Sequence, residues 1–321
     1  MFLILLVFLG VEVAGWHVIF GIIVPYLAFA IFVIGLIYRI FNWARSPVPF
    51  KITTTCGQQK TLPWIKSSKL ENPHNFWGVV GRMFLEIFFF RSLFRNTKAD
   101  LKGGNLVYGE SKWLWLGGLA FHYTFLFILL RHLRFFMEPV PQFIYWLQNL
   151  DGLMEVGVPV LYMTDVVFLG AVTYLFLRRV VIPQVRFISL DADYFPLFLL
   201  FSIGLTGVLM RYFLPFKVDI IGVKELTTGL IRLNPVMPES IGTMFFIHLF
   251  LVSTLLVYFP LSKLMHMGGV FLSPTRNMRA NSREHRHINP WNYPVKVHTY
   301  EEWEDEFRDV MRESGLPLEK E

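Results

Sequence analysis

Apolar residues run in long, nearly unbroken stretches separated by polar segments, and their lengths fit membrane crossings. A bilayer core requires about 20 residues of helix. Five stretches approach or exceed that: roughly His17–Tyr38, Trp113–Phe136, Val156–Leu177, Tyr194–Tyr212 and Ile241–Met267. The pattern predicts an all-α integral membrane protein, with a five-helix membrane domain over residues 1–272 and a polar tail over 273–321. Another stretch, Phe76–Phe94, is apolar but interrupted by Arg82, Glu86 and Arg91, and it follows Pro73. It reads as an amphipathic helix lying on the membrane surface rather than a sixth span. The first ten residues are apolar as well, and Glu12 interrupts them. Without a basic leading region or a clear cleavage site they do not read as a cleaved signal. They either extend the first helix or lie against the outer surface.

Composition supports the membrane class. Hydrophobic residues make up 54% of the 321 and charged residues only 17%, against about 25% charged in ordinary soluble domains. The net charge of +6 does not point to nucleic acid, because in a membrane chain the placement of charge matters more than its sum. Residues 42–112 hold 11 Lys/Arg against 4 Asp/Glu, whereas the loop 134–152 has one basic residue, Arg134. The loop 178–193 carries Arg178, Arg179 and Arg186, and the start of the tail carries Lys263, Arg276, Arg279, Arg283 and Arg286. The loop 211–240 runs the other way, with four basic residues accompanied by three acidic ones. The balance predicts a cell-membrane protein with its N-terminus outside and its C-terminus in the cytoplasm.

The one cysteine, Cys56, excludes a disulfide framework, a Cys-rich zinc site and a self-contained iron–sulfur cluster. No Cys-x-x-Cys-His occurs, so haem is not covalently attached. A resident metal cofactor must be held by histidine. In the loop 53–60 Cys56 faces the reducing cytoplasm, either as an idle thiol or as a ligand to a partner's cluster.

Four of the nine histidines fall inside two spans: His122 and His132, ten apart, on the second, and His248 and His266, eighteen apart, on the fifth. Eighteen residues are five helical turns, hence one face. One buried histidine is commonly a helix-stitching hydrogen bond; two pairs on two helices point to haem ligation. Depth pairs His132 with His248 on the outer side and His122 with His266 on the inner side. Each pair supplies two axial imidazoles to a low-spin iron suited to electron transfer. Ten residues rise about 15 Å and eighteen about 27 Å. Tilt of the fifth helix, side-chain reach and a bend at Pro260 must absorb that difference. Gly117 and Gly118 precede His122 and leave room either for a flat macrocycle or for close helix packing. Arg131, Arg134 and Arg211 outside, and Arg39, Lys112, Arg178 and Arg179 inside, are candidate donors to haem propionates.

The histidine spacings on the second and fifth of five spans resemble the nitrate reductase gamma-subunit family of di-haem cytochromes b. The strings KWLWLGGLAFHYTFLFILLRHLRFF (112–136), FWGVVGRMFLEIFFFRSLFR (76–95) and NPWNYPVKVHTYEEWEDEFRDVMRESGLP (289–317) resemble one branch of it. That branch is DsrM/HmeC, the cytochrome b subunits of DsrMKJOP or heterodisulfide-reductase-like menaquinol-oxidising complexes. The resemblance implies two haem b groups, menaquinol oxidised on the outer side next to the outer haem, and electrons passed inward to a cytoplasmic heterodisulfide-reductase-like iron–sulfur subunit. It also implies further subunits, among them a multihaem cytochrome c and a quinone-interacting membrane subunit, in sulfite-linked respiration. The chain is then a subunit of an oxidoreductase rather than a complete enzyme.

For quinone, Glu12 and His17 at the outer end of the first span are the titratable candidates, unless they only mark the membrane boundary beside Trp16; Arg131 or Arg134 are candidates for a quinone carbonyl. Asp165 within the third span serves either proton movement or a helix–helix hydrogen bond. The loop and tail histidines His74, His285, His287 and His298 are expected to bind no metal. The Arg-rich 276–286 followed by the acidic 301–309 forms either a solvated tail or a docking surface, for which ordered Trp291, Tyr293 and Trp303 would argue. Two rival readings remain: a cytochrome b of another respiratory enzyme (nitrate reductase- or hydrogenase-like), and a non-redox transporter whose histidines bind substrate or stitch helices.

Overall fold

A computed structural model describes residues 2–46, 51–52, 57–152, 161–282 and 297–320. Cys56, Arg283, His285, Arg286, His287, Trp291 and Tyr293, and residues 156–160 of the third expected span, lie outside these.

The apolar runs form helices because Leu, Phe, Ile and Ala dominate them and bury well against neighbouring helices, even where a proline such as Pro196 falls inside one. In chain order they are α1 (Phe2–Phe8), α2 (Val24–Ala44), α3 (Phe76–Phe89), α4 (Arg91–Phe94), α5 (Lys112–His132), α6 (Gln142–Asp151) and α7 (Met163–Val181). Then come α8 (Pro183–Ile188), α9 (Asp191–Tyr212), α10 (Ile220–Ile231), α11 (Thr243–Tyr258), α12 (His266–Leu272) and α13 (Tyr300–Glu313). Among the described residues four helical stretches are long and apolar enough to cross a membrane: Ile19–Ala44, Lys112–Phe135, Asp191–Tyr212 and Thr243–Leu261. The third expected span is represented by α7, 19 residues long. It falls outside those four, and it carries three charges, Asp165 in its first turn and Arg178 and Arg179 in its last.

The long helices pack in the spatial order α5, α7, α9, α11, α2. α1 continues through a π-helical turn, Leu9–Val13, and packs on α11, burying Val7 and Val11 beside Phe20, Phe246 and Leu251. A second core joins α7 and α9 through Phe168, Val172 and Leu200, with Phe121 and Phe125 of α5 against it. The outward surface stays apolar: Ile34 on α2 is 68% exposed and Phe198 on α9 55%, which suits lipid.

Three features depart from the expected pattern. The surface helix ends at Phe89, because Phe90 adopts a left-handed conformation (φ 48°). Its charged residues are buried rather than presented to headgroups. Arg82 donates to the Glu71 carbonyl, and Arg91 and Arg95 both pair with the Glu71 carboxylate. Ser92 and Arg276 face Glu86, and the Ala280 N–H donates to the Pro73 carbonyl at 2.7 Å. Residues 57–95 and 273–281 thus form a polar-cored cap whose outer face is apolar, with Trp77 77% exposed. Secondly, a β-hairpin, β1 (Thr97–Lys102) with β2 (Asn105–Glu110), interrupts the all-α pattern. Gly103 and Gly104 form its turn with φ of 58° and 83°, values that glycine adopts without strain. Finally, the fifth span is not one helix through His266. It stops at Tyr258, passes through two 3-10 turns (Phe259–Leu261 and Lys263–Met265) and restarts at His266. Pro260 has no N–H for the helical ladder, and Ser262 is extended (φ −116°, ψ 179°), so the axis changes direction there.

The tail helix α13 begins with a Thr299/Glu302 capping box. Buried Glu304 accepts the backbone N–H groups of Glu319 (2.8 Å) and Lys320 (3.0 Å), folding the last residues back on the helix. Tyr300, Trp303 and Phe307 form a half-exposed ladder with ring centroids 5.9 and 5.8 Å apart.

Candidate functional site

The four span histidines stand as two pairs, the bend after Tyr258 carrying His266 to His122. The His122 and His266 rings lie 5.8 Å apart, nearly perpendicular at 85°. The His132 and His248 rings lie 6.4 Å apart and nearly parallel at 12°. The mismatch in rise between the two ladders is therefore taken up by the break at Pro260–Ser262, not by tilt of a straight helix. His248 and His266 do not share one continuous helical face, as five regular turns would have required.

Each ring is oriented through Nδ1. His122 donates to the Gly118 carbonyl at 2.7 Å and His132 to the Ile128 carbonyl at 2.7 Å, both four residues back on α5. His266 donates to the Lys263 carbonyl at 2.9 Å. His248 lies 2.8 Å from Thr206 Oγ1 on α9, and that hydroxyl has the Ser202 and Ile203 carbonyls at 2.9 and 3.0 Å for its own proton. A carbonyl only accepts, and Thr206 donates elsewhere, so these contacts assign the proton to Nδ1 in all four rings. The lone pair then sits on Nε2, which makes no hydrogen bond among the described residues. This is the outer-shell arrangement of a metal-bound histidine.

The donor set fits a b-type haem. With metal–nitrogen bonds of about 2.0–2.1 Å and nitrogens a little over 1 Å from the ring centre, two imidazoles on one metal have centroids about 6.3 Å apart. The observed 6.4 and 5.8 Å bracket that value. Among the described residues no three His, Cys, Asp or Glu side chains converge on a point, so each centre offers two protein ligands. A tetrapyrrole brings four nitrogens of its own, and two imidazoles complete its iron.

Small and aromatic residues shape the surroundings. A Cβ at Gly207 would stand 3.6 Å from His248 Cε1, so this stretch of α9 lies against that ring. Gly117 serves packing, since a Cβ would meet the Tyr174 ring at 2.5 Å. The Gly118 carbonyl orients His122. Phe90, left-handed at the α3–α4 break, sets its ring edge-on to His122 at 4.9 Å, and Phe121 does the same from α5 at 4.9 Å.

Arg131 does not reach out to a ligand. It is buried, pairs with Asp151, contacts Thr164 Oγ1 at 3.1 Å and lies 3.6 Å from Asp165. Asp165 accepts from Tyr212 at 2.6 Å, which realises the helix–helix hydrogen bond expected as one of its two roles. Arg211 stands 4.0 Å over the Tyr162 ring, and Arg134 donates to Gln148 at 2.9 Å. At the other end Arg39 lies over Trp43, Lys112 pairs with Glu110 and Arg179 donates to Ser189. Glu12 accepts from Thr243 at the start of α11, and His17 meets Phe246 edge-on at 5.4 Å. Both titratable candidates for quinone therefore stand at the end of α11 that carries His248. Of the tail residues, His298 lies 3.4 Å from Glu306. Sequence reasoning missed Thr206, Gly207, Asp151, Thr164 and Tyr212. The adjacent Thr–Gly inside an apolar span was the legible trace of the first two.

Residues 74–280, more than half of the chain, match the nitrate reductase gamma subunit family. The chain belongs to that family. It is 48% identical over 282 residues to the Hdr-like menaquinol oxidoreductase cytochrome b-like subunit of Archaeoglobus fulgidus, covering 86% of this chain and 84% of the relative. It is 43% identical over 277 residues to the protein of the same description from Archaeoglobus profundus, covering 84% and 81%. The family match takes in His122, His132, His248 and His266.

Proposed function

We propose that this chain is a five-span membrane cytochrome b carrying electrons from menaquinol to a cytoplasmic heterodisulfide-reductase-like iron–sulfur subunit, in sulfur-linked respiration. It would hold two b haems, one between His132 and His248 and one between His122 and His266. The observation that carries this reading is the pairing itself: four histidines from α5, α11 and α12 form two pairs at two levels, each Nδ1 bonded and each Nε2 free. When bound, a b haem supplies an iron that takes up and releases one electron with no coordination position open.

α7 serves as the fifth span in this reading. Its 19 residues rise about 28 Å, Asp165 is paired at one end, and Arg178 and Arg179 sit in the last turn, where long cations snorkel to the interface. With the surplus of Lys and Arg in 42–112 and 263–279 on the cytoplasmic side, the His122/His266 pair would lie near the cytoplasm and the His132/His248 pair near the outside. Arg134 and Arg211 are the outer donors left for propionates, because Arg131 is occupied by Asp151 and Asp165. Glu12 and His17 stand against the first turns of α11, the helix that carries His248, and menaquinol oxidised to menaquinone on that side would release two protons outward. Its two electrons would pass inward one at a time, so the step would be electrogenic.

The relatives' description as menaquinol oxidoreductase subunits supports the donor and a place among other membrane redox subunits. The acid-rich α13, with its Tyr300–Trp303–Phe307 ladder, is a face for the iron–sulfur partner. A haem assay on the purified full chain tests the reading, with two non-covalent haem b per chain expected. A chain that carries none after haem-replete expression is not a cytochrome.

A further inference from the structure

Where α5, α6, α7 and α9 meet beside His132, four charged side chains gather: Arg131 and Asp151 are buried, Asp165 is half-buried and Arg211 is exposed at the rim. Arg131 is 8% exposed and Asp151 3%. Asp151 pairs with Arg131 through Oδ2 and accepts the Thr164 N–H at 2.9 Å and its hydroxyl at 2.6 Å. It thereby ties the end of α6 to the start of α7. Arg131 bridges on to Asp165 at 3.6 Å. Tyr212 donates to Asp165 at 2.6 Å and accepts the Tyr162 N–H at 3.0 Å, closing the ring of contacts onto α9. Arg131 and Arg211 both stand over the Tyr162 ring, at 4.2 and 4.0 Å.

Two arginines and two aspartates sum to zero. Such a cluster is a poor way to gain stability, since apolar residues of similar volume commonly do as well as buried ion pairs. Charges at this depth are costly and commonly mark a function. Their neighbour supplies one. Arg131 directly precedes His132 on α5, and both aspartates reach that arginine, so the cluster adjoins the His132 segment. Unbalanced, the two guanidiniums would favour the reduced state of an adjacent iron by making its ferric charge harder to hold.

We propose that Asp151 and Asp165 are positioning residues that offset Arg131 and Arg211, fixing the His132 segment in place and setting the reduction potential at the His132/His248 pair. This rests on the two-haem reading, and it concerns a property of the outer centre that pairing alone does not set.

Potentiometric titration of the purified full chain in detergent, followed in the b-type absorption band, tests it. Asp151→Asn removes one negative charge beside Arg131 and keeps the side chain's size. The outer component should become easier to reduce by at least tenfold in its reduction equilibrium, about 59 mV for one electron, while the inner component stays put. Thr164→Val breaks hydrogen bonds of the same network without changing charge and should move the outer component less than twofold. Equal shifts in Asp151→Asn and Thr164→Val would overturn the proposal, because the effect would then be structural. Should Asp151→Asn fail to fold, Asp165→Asn removes the second negative charge and leaves the Asp151 bridge intact. An outer component that is bound but unmoved in Asp165→Asn overturns the proposal as well. Absence of any b-type band in the unaltered chain would instead bring down the haem reading beneath it.

Discussion

Thr206 of α9 holds His248 of α11: its hydroxyl oxygen lies 2.8 Å from Nδ1 while its own proton goes to a carbonyl of its helix. That contact fixes which nitrogen faces His132. Thr206→Val keeps the shape and removes the acceptor. Outer haem binding should weaken on the order of 10–100-fold, as when other outer-shell partners of metal-bound histidines are lost. Haem-to-protein ratios measured across a haem titration check this, with the inner site unchanged.

The two pairs differ in ring orientation, 12° at His132/His248 and 85° at His122/His266. Axial imidazole planes govern the splitting of the low-spin ferric d orbitals: parallel rings give a rhombic signal, perpendicular rings a signal with a much larger highest g value. Low-temperature electron paramagnetic resonance of the oxidised chain should show one of each. The large-g signal should vanish in His266→Ala and persist in His248→Ala. Two rhombic signals would contradict the perpendicular arrangement.

Pro260 ends the regular helix, and the extended Ser262 turns the chain so that His266 reaches His122. Pro260→Ala restores the missing donor and lifts a barrier of about 3 kcal/mol to continuing the helix. The inner haem component should fall well below half occupancy while the outer one remains. The ratio of the two components in a difference spectrum reads this directly.

The cap has its own signature in pH. Lys51 is buried against the Glu71 carbonyl and Asn72 Oδ1 at 3.3 and 3.1 Å, and burial, with Arg82 close by, pushes its ammonium down to about 8. The unfolded cap then holds a proton that the folded cap has lost between about pH 8 and the ordinary lysine value, so folding strengthens as pH rises through that window. Limited proteolysis of residues 57–95 should slow between pH 8 and 10. Lys51→Met should remove that dependence.

Much of this was legible beforehand. The long apolar runs, the ten- and eighteen-residue spacings and the loop charges lead to the two histidine pairs the structure brings together. Less legible was what depends on through-space contact. Asp151 stands 20 residues from Arg131 in the chain and carries no motif, and only the fold sets the two together; Arg131, expected to serve a ligand, is taken up by that contact instead. The Phe90 break left no trace because a left-handed phenylalanine is held by its tertiary surroundings, not by its own preference. The hairpin did leave one, the Gly103–Gly104 pair between two short and largely polar segments.

The most direct measurement is the reduced-minus-oxidised spectrum of four single alanine variants of the histidines in the purified chain. His132→Ala and His248→Ala should each remove the same b-type component and leave the other. His122→Ala and His266→Ala should each remove that other component. If His132→Ala and His248→Ala delete different components, or if the unaltered chain shows no b-type band, the paired two-haem arrangement is contradicted.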